Sequence, residues 1–159
     1  MLARRFPEAS FVGTDPSPKA VGKARQSIAR RHVLNATAMV VAPPNGRLPF
    51  DAGSFDKVVC ILTFHDRLPD EKLGIAKEIL RILRRGGTLH VADFDRPATL
   101  KECGILSFTQ YISGRAAAEP HMNGSWTTFL AKAGFVGIRR QSSHSVGIGR
   151  ISIVKARKR

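Results

Sequence analysis

The chain has 159 residues, 43% of them hydrophobic, which suffices for one domain with one core and no disulfide staples. Its formal net charge of +14, from 26 Lys and Arg against 12 Asp and Glu, favours anionic partners: nucleic acid, acidic headgroups or a phosphate-bearing ligand. The longest apolar runs fall far short of a membrane span and MLARRFPEASF lacks a secretory signal's apolar stretch, so neither a spanning nor a secreted class is expected, and the two cysteines, Cys60 and Cys103, suit a reducing, cytoplasmic setting.

SFVGTD, residues 10–15, has the pattern of a short strand ending in an acid. SPKAVGKARQSIARR follows as a helix: Ser17 is a natural N-cap, Pro18 suits the first helical position, and Ala20, Val21, Ala24 and Ile28 share one face. ATAMVVA, residues 36–42, is a second strand, and PPNGR, residues 43–47, is loop by composition. SFDKVVCILTF, residues 54–64, carries the continuous apolar run of a buried parallel strand, with Cys60 as a buried small residue. Asp70 is expected to cap the next helix, where Leu73, Ala76, Leu80 and Leu83 recur at helical spacing until Gly86-Gly87 ends it. TLHVADF, residues 88–94, is a further strand. Residues 97–122 are apolar enough for a helix but show no clean period. SWTTFLAKAG, residues 125–134, is a short helix stopped by Gly134, with Trp126 and Phe129 in a core stripe. FVGIRRQ and GRISIVKA then form two closing strands, antiparallel to each other.

Strands alternating with helices imply parallel crossovers and a doubly wound α/β sheet, here with an antiparallel C-terminal edge. Ligands of such sheets sit beyond the carboxyl ends of the strands, which directs attention to Asp15, residues 42–45, residues 62–66 and residues 93–95. A carboxylate there offers two oxygens to the two hydroxyls of a ribose; the same Asp15 can equally cap the turn in DPSP. Asp93 either lines a pocket or caps a helix. His65 and Asp66 are adjacent, and adjacent side chains seldom converge on one proton. The remaining histidines, His32, His90, His121 and His144, show no metal-ligand spacing. Glu119 is the last acid, and the basic residues after it lack interleaved aromatics, so a solvated tail competes with a nucleic-acid interface.

Taken together, FVGTDPSPKAVGKAR, LPFDAGSFDKVVCILTFHD and EILRILRRGGTLHVADF resemble the class I S-adenosylmethionine-dependent methyltransferases, in particular the small-molecule branch that includes the ubiquinone and menaquinone methyltransferases. SWTTFLAKAGFVGIRR is similar to that branch's last helix and strand, so the resemblance covers nearly the whole chain. It implies a Rossmann-like sheet, S-adenosyl-L-methionine as cofactor and a small-molecule methyl acceptor. It implies further that Asp15 holds the ribose, that Pro16 flanks the adenine, and that Leu62 and Thr63 border the methionine part. His65 would then stand near the acceptor, and Gly86 and Gly87 would be a structural turn. Pro44 and Asn45 occupy the places where the family has an acid and a small residue on the adenine. Residues 97–122 correspond to an acceptor lid with Tyr111, His121 and Met122 as lining residues, and Asp93 would face the acceptor.

The family's first strand and Gly-rich loop have no counterpart in these 159 residues; LARRFPEASF resembles the end of the helix that follows them. The expectation is therefore an N-terminally truncated form of the fold, a single domain over residues 1–159 with apolar sheet edges that favour a homodimer. Two further readings stand beside methyl transfer: a non-catalytic remnant serving as a structural or partner-binding module, and a basic nucleic-acid-binding domain.

Overall fold

The computed structural model describes residues 2–41, 46–147 and 149–159. Two compact units, Met1–Pro49 and Phe50–Arg159, are taken in turn.

In the first unit, helix α1 (Leu2–Arg5) precedes strand β1 (Phe11–Asp15), helix α2 (Pro18–Arg30) and strand β2 (Ala36–Val40). β1 and β2 pair in parallel, from Phe11 opposite Ala36 to Asp15 opposite Val40, so β1–α2–β2 is one crossover. Ser17 caps α2 as its sequence implies, its side chain accepting from the Ala20 N–H at 3.2 Å. On the apolar face of α2, Val21 is buried and Ala20 and Ile28 are half-buried, but Ala24 is exposed. The Asn35 side-chain amide lies among the carbonyls of Ala3, Phe6 and Ala9 at 2.8–3.0 Å. It thereby satisfies backbone that has no ladder partner.

The second unit contains β3 (Phe55–Ile61), α3 (Pro69–Ile82), β4 (Leu83–Asp95), α4 (Gly104–Ser113), α5 (Arg115–Met122), α6 (Thr128–Ala133), β5 (Val136–Ser145) and β6 (Arg150–Arg157). Its sheet has the order β3-β4-β6-β5. β3 and β4 are parallel, and the two closing strands run antiparallel, giving the α/β class with an antiparallel C-terminal edge. The core gathers Phe64, Ala76, Ile79, Leu83, Leu89, Val91, Trp126, Leu130, Val154 and Ala156. Trp126 belongs to it, as its spacing suggests.

Several local expectations are corrected. β3 is an edge strand rather than a fully buried one, and Val59 and Ile61 are 53% and 68% exposed. Cys60 beside them is half-buried. Leu68, not Asp70, is the N-cap of α3; Pro69 takes the first helical position and the Glu71 carboxylate accepts from the Leu68 N–H at 2.8 Å. The stretch 97–122 lacks one period because it is two helices, broken at Gly114, whose φ is 84°.

Gly86-Gly87 does not end α3 either. The helix stops at Ile82, and β4 begins at once and runs through both glycines. Gly86 takes a φ of 74° in an irregular stretch of the β3–β4 pairing, and its N–H donates to the Lys158 carbonyl at 3.1 Å. A Cβ on Gly87 would lie 2.8 Å from the Arg84 carbonyl oxygen and 3.1 Å from that of Asp56. Gly87→Ala is therefore expected to lower unfolding free energy by about 1–3 kcal/mol, the usual range for overpacking. Chemical denaturation measures this, and an unchanged midpoint would show that the bulge gives way freely.

Candidate functional site

In the first unit, Asp15 ends β1. Its Oδ1 accepts from the Ser17 N–H at 2.7 Å, an Asx turn that starts α2. One carboxylate oxygen is thus engaged by backbone, while Oδ2 has no partner among the described residues. Pro16 beside it is exposed. Pro44 and Asn45 lie outside the described residues.

In the second unit, the segment after β3 is fixed from beneath by β4. The Leu62 N–H donates to the Ala92 carbonyl at 2.8 Å, and Leu62 itself takes a φ of 52°. A branched apolar residue in the left-handed region is a strained conformation of the kind that collects at functional sites. Thr63, half-buried, donates from Oγ1 to the Ile61 carbonyl at 3.3 Å.

Asp93 is fully buried near the end of β4. Its carboxylate accepts from the Phe64 N–H at 2.7 Å and the Phe94 N–H at 2.8 Å. His65 Nδ1 stands 3.2 Å from Asp93 Oδ1, off the line that a ring N–H bond needs, so the two groups make a close polar contact rather than a full hydrogen bond. The His65 ring meets Phe94 edge-on at 5.0 Å, and its side chain retains 17% exposure. Burial alone would raise the Asp93 carboxyl; the His65 contact, the nearby His121 and the Phe64 amide outweigh it and hold the group below the usual carboxylate range. Asp93 is thus neither a helix cap nor a solvent-facing pocket wall. Through the Phe64 amide it orders the loop that carries His65, while Asp66 lies 3.5 Å from Arg67.

His121 is also fully buried. Its Nδ1 lies 2.5 Å from the Phe94 carbonyl, which requires the proton on Nδ1, and its Nε2 has no partner among the described residues. The ring stacks on Trp126 at 5.3 Å and 8°. Burial pushes its pKa down to about 4 against the pull of Asp93 and the Phe94 carbonyl, so it is neutral at pH 7 and part of the core. Of the other expected lining residues, Met122 is half-buried and Tyr111 is 88% exposed.

Sequence reasoning passed over three groups nearby. Lys72 is buried, and its ammonium donates to the carbonyls of Arg67 and Ala117; burial brings it down to about 8. Asp95 is buried between Arg140, at 2.5 Å, and the Trp126 indole N–H, at 3.3 Å. Glu102 is buried against Arg150 at 3.2 Å. The only sequence signal for Asp95 and Arg150 is positional: they stand opposite each other where β4 and β6 pair.

Residues 1–87 match the model of a family described as a methyltransferase domain. An uncharacterized methyltransferase of Synechocystis is 27% identical over 149 residues, which cover 94% of this chain and 66% of that protein. A demethylmenaquinone methyltransferase of Deinococcus radiodurans is 33% identical over 136 residues, covering 83% of this chain and 53% of that one. The chain thus spans between half and two thirds of these curated relatives. Among solved structures, a SAM-dependent methyltransferase of Methanosarcina mazei superposes with a TM-score of 0.73 at 19% identity, over 99% of this chain and 84% of that one. No described helix is long and apolar enough to cross a membrane.

Proposed function

The chain belongs to the methyltransferase-domain family, and on that premise we propose that it takes part in S-adenosylmethionine-dependent methyl transfer to a small molecule. The observation that carries the reading is His65, beyond the end of β3, held against buried Asp93 near the end of β4, the side of an open α/β sheet where ligands bind. When bound, the cofactor supplies a methyl group on a positively charged sulfur, an electrophile that asks chiefly for in-line placement of the acceptor. Asp15 fits a ribose in kind, since Oδ2 remains open to a hydroxyl while Oδ1 is held by Ser17. Leu62 and Thr63 are the residues that would border the methionine portion, with Pro16 beside the adenine. Asp93 keeps the His65 ring oriented with Nε2 available, so His65 receives the proton that the acceptor gives up as its new bond to carbon forms. The likeness to the Deinococcus radiodurans protein favours a quinone-like acceptor. The two unpaired thiols, Cys60 and Cys103, support a cytoplasmic setting.

The test is calorimetric titration with S-adenosylhomocysteine, which needs no knowledge of the acceptor. The wild type is expected to bind. Asp15→Ala should lose roughly 10–100-fold in affinity, the worth of one charge-assisted hydrogen-bonding group. No heat up to millimolar ligand would remove the reading and leave a structural or partner-binding module in its place. Unchanged affinity in Asp15→Ala would assign Asp15 to the turn alone.

A further inference from the structure

The cleft that opens beyond the carboxyl end of β4 is a site of unusual charge. It measures about 540 Å³ and is lined by Asp95, Arg96, Asn123, Gly124, Arg140 and Arg150, among others. We infer that it is an oxyanion site, which takes the carboxylate or phosphate group of a small organic ligand. On the methyl-transfer reading, on which the ligand's identity rests, that ligand is the acceptor, a quinone-like ring that carries such an anionic group.

The charge balance comes first. Three guanidiniums, on Arg96, Arg140 and Arg150, meet two carboxylates, on Asp95 and Glu102, so one positive charge is in surplus. The carboxylates are the buried partners, at 1% and 4% exposure, and the Arg140 and Arg150 side chains remain 49% and 30% exposed. Asp95 engages Arg140 through one nitrogen, Nη2, and Glu102 engages Arg150 through Nε and Nη2 at 3.2 and 3.3 Å. A guanidinium has five N–H donors in a rigid fork, so donors remain on each for a ligand. Arg96 is exposed and has no carboxylate within ion-pair distance among the described residues.

Preorganisation comes second. A flexible arginine gives up rotamer freedom when it clamps an anion. Here Arg140 and Arg150 are already anchored by buried acids, and both acids stay ionised. Backbone N–H groups help: the Arg96 amide donates to Asp95 at 2.8 Å and the Ala98 amide to Glu102 at 2.6 Å. The Ala98 amide and Arg150 bring Glu102 to about 2; burial alone would raise Asp95, but the Ser152 hydroxyl, then the Arg96 amide and Arg140, hold it low. Fixed forks suit the bidentate geometry of a carboxylate or phosphate. The volume matches one small ligand, and a string of nucleotides would need an open basic track instead. Asp93 and Asp95 are two residues apart on β4, so the anion site adjoins the His65–Asp93 pair at the same strand end.

The experiment is an amide NMR titration of the full chain with inorganic phosphate and with benzoate, at ionic strength matched by chloride. Saturable shifts at Arg96, Asn123 and Gly124 are expected for at least one of the two probes, and the stronger response tells a tetrahedral from a planar site. Arg96→Ala should weaken binding roughly tenfold or more, with Arg96→Lys in between; Arg96→Gln serves if the alanine variant does not fold. S-adenosylhomocysteine heat should be unchanged in these variants. Loss of that heat in the wild type with the phosphate or benzoate response intact would count against methyl transfer and not against this site. The inference is overturned if neither probe saturates, if the Arg96 variants bind as the wild type does, or if the shifts fall only on residues 157–159. It is equally overturned if single-stranded RNA occupies the cleft more tightly than both probes.

Discussion

Asp93→Ala is expected to cost the Phe50–Arg159 unit about 3–5 kcal/mol of unfolding free energy, as removal of a buried carboxylate that leaves its hydrogen-bond partners unpaired does. The side chain is fully buried and accepts from the Phe64 and Phe94 amides while it faces His65. Without it, two N–H groups in the interior lose their acceptor, at about 1–3 kcal/mol each. The melting temperature should fall by roughly 10–20 °C. Asp93→Asn keeps one oxygen and should lose about half as much, because its amide nitrogen would face donors. A loss under about 1 kcal/mol in the alanine variant would mean that water or a shifted loop takes over the acceptor role, and the account of how His65 is held would be wrong.

The second large effect is a loss of stability in mild acid. His121 has its pKa lowered to about 4 by burial, whereas an exposed histidine titrates near 6.5. Between those values the unfolded chain binds a proton that the native state excludes, so unfolding becomes easier as the pH falls. The stability is fully present above about 6.5 and is lost progressively down to about 4, for a total of about 3 kcal/mol. His121→Phe keeps an aromatic ring beside Trp126, gives up the bond to the Phe94 carbonyl and removes the titration. Its unfolding free energy should be nearly flat over that window, apart from a shallower slope from His90, which burial also lowers. An equal slope in both proteins would sink the assignment. A separate, more acidic phase belongs to Asp93, Asp95 and Glu102. Their pKa values are depressed in the folded state, so their contribution is present above the ordinary carboxylate range and is lost as the pH falls through the folded values.

Local chemistry was readable in the sequence. Ser17 before Pro18, Gly134 after the last short helix, and the two closing strands all hold, because caps, stops and hairpins depend on neighbours in the chain. The α/β class and the strand ends followed from the alternation of elements. What escaped depends on register between distant segments. Asp93 meets the 62–66 loop because β3 and β4 run in parallel with Ile61 opposite Ala92. Asp95 comes opposite Arg150 only through the β4–β6 pairing. Lys72 sits in an ordinary helical pattern, and nothing nearby in sequence announces that α5 supplies the carbonyl that holds it. The helix-to-strand junction at Ile82 was missed because Gly86-Gly87 looks like a stop until the pairing with residue 158 is seen.

The order β3-β4-β6-β5 also has a consequence in time. Of the described strands, the last in sequence, residues 150–157, is an inner one, inserted between β4 and β5. On the ribosome, β3, α3 and β4 can assemble early from contacts close in sequence. The far edge of β4 must wait unpaired until some sixty residues later β6 emerges, and only then can the sheet close and Lys158 lock onto Gly86 and Gly87. Long-range pairing of this kind slows folding and leaves an open strand edge exposed meanwhile. Until residues 150–157 are available, the nascent chain carries that open edge.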